Sequence, residues 1–115
     1  MKERKILQTT EFTDKVNELI KNHKLKLEDF NTFKSVLAEH PEMGAMISGT
    51  GGVRKTRLKS ASKGKRGGFR VCYYFHDASI GEIYLIALYA KNEQEDLNPD
   101  EKKELKAFAN IIKRM

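Results

Sequence analysis

The stretch "EIYLIALYAK", residues 82–91, constrains the fold more than any other. Its β-branched and aromatic residues favour an extended strand. Both of its alternating faces are apolar, with Ile83, Leu85 and Ala87 opposite Tyr84, Ile86 and Leu88. Such a strand is usually central in a sheet that is covered on both sides. A chain of 115 residues supports one modest core, so a single domain over residues 1–115 is expected.

Period two also governs "VRKTRL" and "GFRVCYYFHD" just upstream, and "HDASIGE" supplies a turn between the last two strands. Gly67 and Gly68 end the first connection, so the three strands read as an antiparallel meander. Apolar residues at helical spacing lie on either side of this sheet. Phe12, Val16, Leu19 and Ile20 predict a helix over 11–22, with Thr9 or Thr10 as its cap and a short strand before it near Lys5 to Thr9. Phe30, Phe33, Val36 and Leu37 predict a second helix, with Glu28 and Asp29 at its positive end and Pro41 beyond its stop. "HPEMGAMISGTGG", with its tandem glycines, then crosses from the helical layer to the sheet. At the far end, Asn98 caps, Pro99 suits the first helical position and Glu101 completes a capping box, ahead of a stripe of Leu105, Phe108, Ala109 and Ile112. The expected fold class is α+β: an N-terminal helical hairpin packed on a small antiparallel sheet, followed by a C-terminal helix.

Charge is distributed unevenly along this scaffold. Residues 53–76 carry eight basic and no acidic side chains, leaving 14 basic against 16 acidic elsewhere, so the net charge of +6 is local to one stretch. A slightly acidic chain with one cationic stretch points to a polyanion-facing surface, and nucleic acid is the first candidate. Cys72 is the single cysteine, which excludes an intrachain disulfide and a cysteine-based zinc site and fits a reducing compartment. The N-terminal residues lack an apolar signal-peptide core, and no run of about 18 apolar residues occurs, so a cytoplasmic protein without a membrane association is expected.

A basic loop is ordinarily a solvated turn, but the strand cations are harder to explain that way. Alternation puts Lys55 and Arg57 on one face of the first strand, with Arg54, Thr56 and Leu58 on the other. On the next strand Phe69, Val71, Tyr73 and Phe75 form a core-like face, opposite Arg70, Cys72, Tyr74 and His76. Neighbouring strands would bring Lys55, Arg57 and Arg70 together, with Lys63, Lys65 and Arg66 at the rim. Cations at sheet positions that would suit packing residues are a local conflict of the kind found at functional sites. The glycines beside them permit close backbone approach to an anion. The Walker spacing is missing. His23 and His40 sit at helix ends as solvated or capping groups, Cys72 has no activating base, and Tyr84 reads as core. Tyr74 and Tyr89 would stack on bases if they face the cations. No carboxylate pair or metal-ligand spacing appears among the strand residues, which argues against metal-assisted hydrolysis.

Through "GTGGVRKTRL", "KGKRGGFRVCYYFHD" and "LYAKNEQEDLNPDEKKEL" the chain resembles the RelE/HigB family of type II toxins, particularly its HigB-like branch, in order and over most of residues 40–108. The resemblance implies a RelE-like microbial RNase fold and ribosome-dependent, metal-independent cleavage of mRNA. It also implies contact with 16S rRNA near the A site and a cognate antitoxin, in this branch usually a HigA-like helix-turn-helix protein. By position, the family's paired strand cations match Lys55 and Arg57, and its arginine after Gly-aromatic matches Arg70. The family also uses a basic residue and a tyrosine after the last strand. Here Asn92 and Asn98 stand at those places, with Lys91 and Tyr89 nearby. Catalytic expectations therefore fall on Lys55, Arg57, Arg70, Lys91, Tyr89 and Asn92, and RNA-binding expectations on Lys63, Lys65, Arg66 and Tyr74. Two alternatives stand beside an endoribonuclease: a toxin of the same fold that inhibits a protein such as gyrase, and a noncatalytic RNA-binding module.

Overall fold

The computed structural model describes residues 4–61, 68–77, 81–91, 94 and 96–115. Strand β1 (Lys5–Gln8) leads into the helical hairpin α1 (Thr10–Lys21) and α2 (Leu27–Glu39). The short β2 (Ala45–Met46) follows, then β3 (Arg54–Leu58), β4 (Phe69–His76), β5 (Glu82–Ala90) and α3 (Pro99–Lys113). One five-stranded sheet runs in the order β1-β5-β4-β3-β2. The fold is α+β, with the meander β3-β4-β5 antiparallel as the pattern predicts. The sheet as a whole is mixed, because β1 adds to the free edge of β5 in parallel and β2 adds to β3 antiparallel.

β5 has apolar residues on both faces because each face has its own helical cover. On one side, Phe12, Val16 and Leu19 of α1 and Phe30, Phe33 and Leu37 of α2 pack on Leu58, Phe69, Val71, Tyr73, Ile83, Leu85 and Leu88. On the other, Leu97 and the α3 residues Leu105 and Ala109 pack on Ile47, Val53, Cys72 and Tyr89. Val36, expected in the α2 stripe, is 40 % exposed, because Phe30, Phe33 and Leu37 already fill the contact with the sheet. Tyr84 is half-buried rather than core: its ring meets Phe108 edge-on and its hydroxyl donates to Glu82 at 2.9 Å.

Strict alternation fails in the middle of β5. Cys72 is registered with Ala87 but Tyr73 with Leu85, so Ile86 is an extra residue, a β-bulge. Ile86 and Ala87 therefore both face α3, whereas Leu88 joins Ile83 and Leu85 in the other core. Thr9 holds the bulge. Its hydroxyl donates to the Ile86 carbonyl at 3.1 Å and accepts from the Phe12 amide at 3.1 Å, while its own amide donates to the Leu85 carbonyl. One side chain thus caps α1 and satisfies the displaced carbonyl.

The crossing from α2 to the sheet is pinned by two β-strand residues. The Tyr73 hydroxyl donates to the Pro41 carbonyl and accepts from the Gly44 amide, both at 2.9 Å. Arg54 Nη1 donates to the carbonyls of Glu42 and Gly44. A Cβ on Gly44 would sit 2.8 Å from the Lys55 carbonyl oxygen, so only glycine lets the chain pass so close to β3. α3 begins as its sequence indicates, with Asn98 Oδ1 accepting from the Glu101 amide and Glu101 Oε1 from the Asn98 amide.

Candidate active site

Three strands bring one group of side chains into line. Arg57 is registered with Arg70, and Arg70 with Tyr89, so the three lie directly across β3, β4 and β5. Two positions away, Lys55 is registered with Cys72 and Cys72 with Ala87, on the same face of the sheet. Leu97 and α3 cover the Cys72, Ala87 and Tyr89 part of this face, with Arg57 exposed at its edge. Like charges placed directly opposite across strands disfavour a sheet, so Arg57 beside Arg70 is a pairing that apolar packing alone would not select.

Burial differs across the row. Arg57 is exposed, Arg70 is only 9 % exposed, with Nη1 donating to the Phe69 carbonyl at 3.3 Å, and Tyr89 is 8 % exposed. The Tyr89 hydroxyl is fully buried and has no hydrogen-bond partner among the described residues. Burial pushes this phenol above its usual range, reinforced by Cys72 and Asp96 and opposed by Arg70. It therefore holds its proton near neutral pH and is a hydrogen-bond donor rather than a base. Without the bulge at Ile86, Tyr89 would fall on the α1–α2 side with Leu85; the extra residue turns it toward Arg70.

Lys55 is half-buried and lies 3.5 Å from Asp96 Oδ1. The Leu97 amide donates to the same carboxylate at 2.8 Å, and that bond, followed by the Lys55 charge, holds the Asp96 carboxyl below its usual range. Asp96 was not singled out in the sequence. It sits in the acidic run "NEQED", which reads as solvated, and its partner is 41 positions away. Cys72, beneath Lys55, is buried and its thiol is pushed up to about 12 by burial, which leaves it unreactive.

The other expected residues are more scattered. Lys91 follows β5, half-exposed, with its amide donating to the Gly68 carbonyl. Tyr74 is four positions along β4 from Arg70 and is registered with Tyr84; Lys113 Nζ lies 6.0 Å from the centre of its ring and Gly52 lies against it. The structure thus does not bring Tyr74 to the arginines. Lys63, Lys65, Arg66 and Asn92 lie outside the described residues.

A comparison with known families covers nearly the whole chain. Residues 5–115 match the family model described as the RelE toxin of the RelE / RelB toxin-antitoxin system.

Proposed function

The chain belongs to the RelE toxin family of toxin–antitoxin systems, and from that premise we propose that it is an endoribonuclease of the HigB-like branch that cuts mRNA on the translating ribosome. The observation that carries this reading is the row Arg57, Arg70 and Tyr89, in register across three rigid strands. Such a row suits a phosphodiester whose charge grows as it reacts.

In the proposed reaction the ribose 2′-oxygen attacks the adjacent phosphorus, a new P–O2′ bond forms, and the P–O5′ bond breaks. Arg57 and Arg70 donate to the non-bridging oxygens, where negative charge builds in the transition state. Guanidinium groups suit this role because they stay charged and present several donors in a fixed plane. Tyr89 retains its proton, and its hydroxyl, covered in the free chain, would be uncovered by substrate to donate to the departing 5′-oxygen or to a neighbouring phosphoryl oxygen. Removal of the 2′-proton falls to an amine, Lys55 in first place and Lys91 second; Asn92, whose amide does not take a proton near neutral pH, is left a hydrogen-bonding role. Lys55→Arg keeps the charge and loses the ability to accept a proton, so it separates a base from a phosphate contact.

Membership of the family implies an antitoxin partner. We assign it to the HigA-like helix-turn-helix type, masking the cationic face by charge complementarity. Lys63, Lys65 and Arg66 are assigned to 16S rRNA near the A site, since a Gly-rich loop suits docking better than chemistry.

Primer extension on a reporter message in a purified translation system tests the reading. Cuts are expected only when ribosomes are present, and Arg70→Ala is expected to lower their rate roughly 10²- to 10³-fold, as loss of one transition-state donor does. An intact message, or a fully active Arg70→Ala variant, would overturn the assignment. Intact message would turn attention to gyrase inhibition or to RNA binding without cleavage.

A further inference from the structure

Beside Tyr89, on the side away from Arg70, a cleft of about 490 Å³ opens between β5, the start of α1 and α3. Leu88, Leu97, Leu105 and Phe108 contribute its apolar lining. Glu11, Glu101 and Glu104 also line it, and no Lys or Arg is among the described lining residues. Glu101 is committed to the α3 cap, where its Oε1 accepts from the Asn98 amide and from Gln94 Nε2. Glu11 and Glu104 are exposed, and neither has a side-chain hydrogen bond or ion pair among the described residues. Tyr89 belongs to both regions: it lines the cleft, it is registered with Arg70, and its buried hydroxyl has no partner among the described residues.

These features select a ligand class. Carboxylates without cations disfavour a phosphate, and apolar walls disfavour a small hydrated ion. A flat ring with N–H donors on its edge fits, because it lies against Leu and aromatic side chains while its donors meet carboxylate oxygens. The phosphate attached to such a ring has its counter-charge one strand away, at the arginines. We propose that this cleft is a nucleobase subsite for the nucleotide next to the reacting phosphate, selecting bases with an exocyclic amino group over uracil through Glu11 and Glu104. The proposal rests on the ribonuclease reading above and supplies its substrate preference.

The test uses trinucleotides whose attacking 2′-hydroxyl is replaced by hydrogen, so that binding is read without cutting. They are titrated into the full chain while the methyl NMR signals of Leu88, Leu97 and Leu105 are followed. The methyls are expected to shift, and at one position cytosine or adenine should bind roughly fivefold or more tightly than uracil, the scale of a specific base-edge contact. Glu11→Gln and Glu104→Gln should each reduce that preference while the chain stays folded, Glu11→Gln lowering the melting temperature slightly because it removes a first-turn charge of α1. Equal affinity for all bases, or a preference that survives both substitutions, overturns the subsite. Shifts caused by a basic peptide but by no oligomer also overturn it and give the cleft to a protein partner. Base discrimination without cleavage of a message would sink the ribonuclease reading and leave the subsite standing; cleavage with no discrimination would do the reverse.

Discussion

Toward α1 and α2, strands β3, β4 and β5 present Leu58, Phe69, Val71, Tyr73, Ile83, Leu85 and Leu88, whereas toward α3 the same strands present Lys55, Arg57, Arg70, Cys72 and Tyr89. Two tyrosines show what separates the faces. Tyr73 is fully buried and its hydroxyl both donates and accepts, tying Pro41 and Gly44 to the sheet. Tyr89 is nearly as buried, yet its hydroxyl has no partner among the described residues. The first face is satisfied in isolation. The second sets Arg57 opposite Arg70 and buries a phenol that has no partner among the described residues, local conflicts of the kind found at functional sites.

The contrast can be broken most severely on the closed face. Leu85→Ala is expected to cost roughly 2–5 kcal/mol in urea unfolding, since Leu85 is fully buried and its neighbours cannot collapse into the space. A cost well under this would mean that the face is less tightly packed than described. The two tyrosines give the sharper comparison. Tyr73→Phe leaves the Gly44 amide unmatched and should lose about 1–3 kcal/mol. Tyr89→Phe should leave stability unchanged or raise it, while slowing message cleavage on the order of tenfold or more by removing a proton donor. Destabilisation by Tyr89→Phe with normal cleavage would reverse the distinction.

A smaller effect is expected where the faces are joined. Thr9→Ala removes a helix cap and a bulge contact together and should cost about 1 kcal/mol. Cleavage should fall with it, because the bulge aims Tyr89. Unchanged cleavage would show that the bulge holds without Thr9.

At neutral pH the smallest effect comes from Cys72, whose contribution shows only as an alkaline pH dependence. Folding keeps the Cys72 thiol protonated from its ordinary 9.0 up to about 12, so the folded chain holds a proton that the unfolded chain loses. The contribution is fully present below pH 9.0 and drains away as the pH rises toward 12. Cys72→Ala should flatten the alkaline limb of a stability–pH curve. An identical slope would place the thiol in contact with water.

Local rules carried the sequence reading far. The α3 cap at Asn98, Pro99 and Glu101 is written in adjacent residues, and the shared face of Lys55, Arg57 and Arg70 follows from period two within each strand plus a short connection between them. What escaped was non-local. The parallel pairing of β1 with β5 joins residues near 6 to residues near 83, and nothing in "KILQ" specifies a partner. The bulge lies in "LIALY", a run with no glycine to mark it, and it moved Ala87, Leu88 and Tyr89 to the faces opposite those that alternation assigns. Asp96 reached Lys55 through the same kind of long-range closure. The apolar pattern thus located the core, while the aim of Tyr89 depended on one inserted residue.

That insertion also bears on when the molecule becomes complete. The contact between Thr9 and Ile86 closes a span of 77 residues, and contacts of such separation are costly to form early in folding. Helix α1 and its Thr9 cap can form from local contacts, but the second bond of Thr9, to Ile86, forms only when β5 is seated. Thr9→Ala should therefore quicken unfolding and leave the folding rate nearly unchanged; slower folding would put this contact in the nucleus instead. A chain in the act of folding would then hold its arginines in place before its tyrosine is turned to meet them.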